Sequence, residues 1–147
     1  MKLVDSEETI VIVIASDLEP GHPDGLSATR LKEEIDARGR GWPYRRAVIV
    51  DDEQWFATDM FHAAPTIAIG GPGANGVSAR MAGELPAVWT DGDRVVIQAR
   101  LGDGERRASL WGSDRHATTE AVDAFIGRGW LDEFLDRCWR FRMGNLA

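Results

Sequence analysis

The chain has 147 residues, a formal charge of −7 and one cysteine, which suits one domain and excludes an intrachain disulfide. The negative balance argues against a nucleic-acid backbone as the principal partner, because phosphate contacts need concentrated positive charge. The acidic start MKLVDSEET and the short apolar run Ile10–Ala15 resemble neither a signal peptide nor a membrane span, so a cytoplasmic address without a membrane partner is expected.

Thr9–Ala15 (TIVIVIA) is a β-branched run of the kind that forms a strand buried on both faces. Ser16-Asp17 and the loop Pro20–Gly25 follow. In Leu26–Arg38 the residues Ala28, Leu31 and Ile35 recur at helical spacing, and Gly39 and Gly41 end the helix. Arg46–Val50 reads as a second strand running into Asp51, Asp52 and Glu53, and Thr66–Ile69 as a third. Between them, Gln54–Ala57 and Met60-Phe61 fit either a short helix or a loop offered to a partner.

The third strand opens into the stretch GGPGANG, Gly70–Gly76. Val77, Met81 and Leu85 then lie four apart on one helical face until Pro86. Ala87–Trp89 is a candidate edge strand. Arg94–Leu101 and Glu105–Trp111 are extended runs separated by Gly102-Asp103-Gly104, a strong hairpin signal. After Trp111 come Gly112-Ser113-Asp114 and a helix with Ala121, Val122, Phe125 and Ile126 as its apolar stripe, capped by Asp114 or Thr118. A last helix starts near Trp130, and its Leu131, Phe134, Leu135, Cys138 and Trp139 read as a packed face enclosing the thiol.

Strand, helix, strand is the grammar of a parallel sheet. The expected fold is therefore α/β: one three-layer Rossmann-like or flavodoxin-like domain over residues 1–147, mostly parallel, with an antiparallel hairpin over about residues 94–111.

Three turns that end predicted strands are the candidate ligand positions, because an open α/β sheet binds beyond the carboxyl ends of its strands. They are Ser16 and Asp17 with the loop His22-Pro23-Asp24-Gly25; the turn that supplies Gly70, Gly71, Gly73, Asn75 and Gly76; and the turn from Gly112 through Ser113 and Asp114 to Thr118. The central turn is not a P-loop, since it has neither the lysine nor the metal-holding hydroxyl. Gly71, Gly73 and Gly76 match G-x-G-x-x-G formally, but after the third strand and with Pro72 inside. The turn suits a tight strand-to-helix corner, an anion or polar molecule held by backbone amides, or a docking partner.

Asp17, Asp51, Asp52 and Glu53 follow strands and are the candidate metal ligands, with magnesium as the cation that such acids suit; no cofactor is otherwise expected. Their order resembles the acidic pocket of receiver domains only superficially, as no lysine follows a late strand. His22-Pro23-Asp24 also occurs in J-domain cochaperones, where it joins two helices rather than following a strand. His62 and His116 define no zinc motif, Ser16, Ser78 and Ser113 lack the Gly-x-Ser-x-Gly elbow, and no catalytic residue is assigned.

Ile67–Pro72 with Asn75 and Glu84-Leu85-Pro86 resembles the strand–GGP–x–x–N–helix segment of archaeal S-layer-like domains and the GG-turn of cell-wall-binding repeats. Leu110-Trp111-Gly112, Asp114, Ala117-Thr118 and Ala121-Val122 resemble the segment that follows it there. Together these cover about a quarter of the chain. The resemblance implies a Rossmann-like, non-enzymatic structural or adhesive module.

The expected function is a non-catalytic interaction or accessory module, acting with a protein partner or a second copy of the chain in a larger assembly. Trp42, Trp55-Phe56 and the last helix are its candidate apolar patches. The alternative is a protein or enzyme that binds a nucleotide or phosphorylated metabolite at Gly70–Gly76.

Overall fold

The β-branched run near the amino terminus forms β1 (Ile10–Ile14), whose residues Ile10 to Val13 are wholly buried. In the computed structural model, which describes residues 5–102 and 106–139, the strands that follow are β2 (Ala47–Asp51), β3 (Thr66–Ile69), β4 (Ala87–Asp91), β5 (Val95–Arg100) and β6 (Arg107–Gly112). They form one mixed sheet in the order β2-β1-β3-β6-β5-β4. The first four are parallel, with Ile12 beside both Ile49 and Ile67, and Ala68 beside Ser109. β5 is antiparallel to β6 and to β4, with an irregularity between Ala87 and Trp89.

The helices are α1 (Pro23–Gly39), α2 (Asp52–Ala57), α3 (Asp59–Ala63), α4 (Gly76–Ala82), α5 (Arg115–Gly127) and α6 (Trp130–Trp139). Successive strand residues point to opposite faces, and the two halves of β1 accordingly enter two cores. Ile10 and Ile12 pack with Leu31 and Ile35 of α1, Val122 and Phe125 of α5, and Phe134 and Leu135 of α6. Val11 and Val13 pack with Trp55 of α2 and Val77 and Met81 of α4. Apolar cover on both faces is why β1 carries no polar alternation.

Sequence and structure differ at several boundaries. α1 begins three residues earlier than the periodicity of Ala28, Leu31 and Ile35 indicates, because Pro23 takes the first helical position, where its missing N–H is no loss and its fixed φ is already helical. The undecided stretch after β2 is helical: Asp51 and Gln54 form a reciprocal capping box, the Asp51 carboxylate accepting from the Gln54 amide at 2.8 Å and the Gln54 side chain accepting from the Asp51 amide at 2.9 Å. Trp55 is not a surface residue. Its indole donates to Thr66 Oγ1 at 3.2 Å in the core under α2. The face of α6 is likewise covered, with Cys138 inside it. Of the expected patches, Trp42 and Phe56 are exposed. The hairpin turn at Asp103-Gly104 lies outside the described residues.

Candidate functional site

The path from β1 to β2 moves one way across the sheet, and the return to β3 crosses to the other side of β1. Beyond the carboxyl ends of the strands, next to this reversal, lies a cleft of about 460 Å³, a volume suited to a small molecule. Its walls are Gly71–Ala74 after β3, Trp111 and Gly112 at the end of β6 with Ser113, Asp114 and the α5 residues Arg115 and Thr118 beyond it, and His22 with Asp24 at the entry of α1.

The α1 entry is the least expected part. His22 is the N-cap, and its Nδ1 accepts a hydrogen bond from the Asp24 amide at 3.0 Å. The Nδ1 lone pair is thereby used, and Asp24 Oδ1 stands 4.0 Å from it, beyond hydrogen-bond reach. Asp24 is 6% exposed, and Oδ1 has no hydrogen-bond partner among the described residues. Burial pushes this carboxyl above the usual carboxylate range, with His22 and Arg115 pulling the other way.

The glycine turn supports this arrangement but offers few free amides. Gly70 has φ +115° and its amide donates to Leu110 O at 3.0 Å, which ties β3 to β6. The amides of Ala74 and Asn75 both donate to Gly71 O. Asn75 is fully buried: its side-chain NH2 donates to Val13 O and Ile69 O, both at 3.0 Å, and its Oδ1 accepts from the amides of Val77 and Ser78. Gly76 N donates to Asp52 Oδ2 at 2.8 Å. The first amides of α4 are therefore engaged within the fold, with Asn75 fastening β1 to β3 just beneath the turn.

At the third turn, Asp114 rather than Thr118 caps α5, accepting from the Ala117 amide at 2.8 Å. That hydrogen bond holds the Asp114 carboxyl below its ordinary range, helped by the His116 amide and the charges of His116 and Arg94. The Thr118 hydroxyl instead accepts from Gly112 N at 3.1 Å. Gly112 permits close packing of α5, since a Cβ there would stand 2.3 Å from that of Ala117. Arg115 reaches Glu19 at 3.9 Å beside the cleft.

The cleft thus brings together Gly71, Gly73, Gly112, Asp114 and Thr118 of the sequence-derived set. Gly70 and Asn75 lie behind it in the framework, Gly76 contacts Asp52, and Ser16 and Asp17 are exposed outside its lining. The proposed metal ligands are otherwise occupied or apart: Asp51 caps α2, Asp52 accepts from Gly76 and Glu53, and Glu53 and Asp17 are exposed. Among the described residues, no three His, Cys, Asp or Glu side chains gather where they could hold a metal ion.

Trp111 and Arg115 line the cleft without having been singled out, and His22 and Asp24, which belong to a candidate turn, line it in place of the Ser16 and Asp17 named there. The signal for His22 and Asp24 was the His-Pro-Asp order, which reads as cap, first helical position and acidic first turn. Among the described residues no helix is long and apolar enough to cross a membrane. The chain matches no protein-family model and shows no significant similarity to a curated protein sequence.

Proposed function

We propose that this chain is a three-layer, Rossmann-like binding protein that takes a small polar molecule into the cleft beyond β1, β3 and β6. The observation that carries the reading is Asp24, a buried carboxyl that lines a small-molecule-sized cleft and whose Oδ1 has no hydrogen-bond partner among the described residues. Buried polar atoms are ordinarily satisfied, and a ligand donor is one means of satisfying this one. The Trp111 indole adds an apolar wall, anchored by its Nε1 donating to Gln98 Oε1 at 2.9 Å. A thermal-shift screen of amines, polyols, nucleotides and sugar phosphates, with and without magnesium, tests it: a saturable rise in Tm with one class supports binding, and flat traces throughout reject it.

The accessory-module reading rests on Phe56 and Met60, which are 42% and 45% exposed on the adjoining helices α2 and α3. Under that reading they meet a protein partner or a second copy of the chain. Light scattering of the chain before and after Phe56→Ser/Met60→Ser tests the self-association form: a dimer that the double variant converts to monomer supports it.

A further inference from the structure

We propose that the ligand of this cleft is a small organic ammonium ion, with the Asp24 carboxylate as its counter-ion and hydrogen-bond acceptor. The inference rests on the small-molecule reading above and names its ligand class. Asp24 is more than nine-tenths buried, its Oδ1 has no partner among the described residues, and it lines the cleft. A buried carboxylate is stable when paired with a cation that also donates hydrogen bonds. His22 does not fill that role, because its Nδ1 already accepts from the Asp24 amide. Arg115, also in the lining, acts on Asp24 through its charge but makes no hydrogen bond to it among the described residues, and lies 3.9 Å from Glu19.

The surrounding chemistry selects against the other ligand classes. A phosphate would meet the carboxylates of Asp24 and Asp114, while the amides of Ala74, Gly112, Ser113 and Ala117 already donate within the protein. A metal ion needs several oxygen ligands, and no three acids or histidines converge among the described residues. A neutral polyol supplies a donor but brings no charge to the carboxylate, which has only the charges of His22 and Arg115 to offset its burial. An ammonium group supplies both, and the net charge of −7 favours its approach. Its carbon chain would lie along Trp111 and Pro72.

Putrescine, ribose and inorganic phosphate are the probes, titrated into the full chain at low salt and followed by calorimetry and two-dimensional amide NMR. The expected result is saturable putrescine binding that shifts the Trp111 indole N–H and the Gly71, Gly73 and Ala74 amides, with nuclear Overhauser contacts from putrescine methylenes to these residues. Asp24→Asn is expected to weaken it by about tenfold or more, and Asp136→Asn, on an exposed site of α6, to leave it unchanged. Equal putrescine affinity in Asp24→Asn and parent, or shifts scattered over acidic residues without cleft contacts, overturns the proposal. Ribose or phosphate moving the cleft signals while putrescine does not overturns the ammonium assignment and leaves the binding-protein reading standing. No cleft response to any probe overturns the ammonium assignment, and the broader thermal-shift screen then judges the binding reading by itself.

Discussion

Asp24 Oδ2 lies 3.2 Å from the point where a Cβ on Gly70 would stand. The first turn of α1 and the end of β3 thus approach so closely that the buried acid requires a residue without a side chain opposite it. Gly70 also has φ +115°, a conformation that L side chains rarely adopt. Gly70→Ala is therefore expected to cost about 1–3 kcal/mol from backbone strain, read as a lower midpoint in urea unfolding, and to move Asp24 in amide NMR spectra.

The acid itself makes stability depend on pH in an unusual direction. Burial raises the folded-state pKa of Asp24 above the ordinary 3.8, with His22 and Arg115 opposing. Between those two values the folded state holds more protons than the unfolded one, so this group's contribution to stability falls as pH rises through the interval. Below 3.8 both states are protonated and the effect disappears. Asp24→Asn is expected to raise Tm at neutral pH, with the gain vanishing as the solution is acidified below 3.8; calorimetry at stepped pH values reads it. A constant difference at every pH would disprove this linkage.

Asn75 satisfies two strand carbonyls and two helix amides at once. Asn75→Ala is expected to destabilise by about 2–4 kcal/mol, since each buried group left unpaired costs about 1–3 kcal/mol. Asn75→Asp keeps the acceptor for Val77 and Ser78 but loses both donors to Val13 and Ile69. Chemical denaturation is expected to find both variants well below the parent, and aspartate no better than partial rescue.

Gly112 allows α5 to rest directly on the end of β6. An added Cβ would come within 2.6 Å of Arg94 O as well as meeting Ala117. Gly112→Ala is expected to lose about 1–3 kcal/mol through overpacking, and hydrogen exchange should report faster opening of α5. The double variant Gly112→Ala/Ala117→Gly removes the contact with the Ala117 Cβ but leaves those with the Ala117 carbonyl carbon and Arg94 O, both at 2.6 Å, and is expected to recover only part of the loss.

Asp114 acts at the other end of the same contact, as the cap of α5. Asp114→Ala is expected to lower Tm at neutral pH. Because its folded-state pKa is depressed, the stability it contributes is present above the ordinary carboxylate range and is lost as pH falls through the folded value. Parent and variant melting curves should therefore converge in acid.

The amino-acid order by itself determined the local elements and the mixed α/β class. Although α4 ends at Ala82 and not at Pro86 as the spacing of Val77, Met81 and Leu85 indicates, Thr9–Ala15 contains a strand without polar alternation and Asp114 precedes α5, each from chemistry contained within a few residues. The antiparallel pairing of Val95–Arg100 with Arg107–Gly112 was legible for the same reason. So was the position of a cleft beyond the carboxyl ends of the strands, because that follows from the class of sheet.

Only the tertiary structure decided which of those turn residues face the cleft. Asn75 and Asp52 appeared as ligand candidates, but their partners are 62 and 24 residues away, and no local pattern encodes such distant hydrogen bonds. Asp24 had the opposite fate: a turn acid in sequence becomes a buried carboxyl, its Oδ1 without a hydrogen-bond partner among the described residues, because α1 is laid against Gly70. Burial and pairing are sums over neighbours from several elements, so the chemistry of the cleft exists only once β1, β3 and β6 lie side by side.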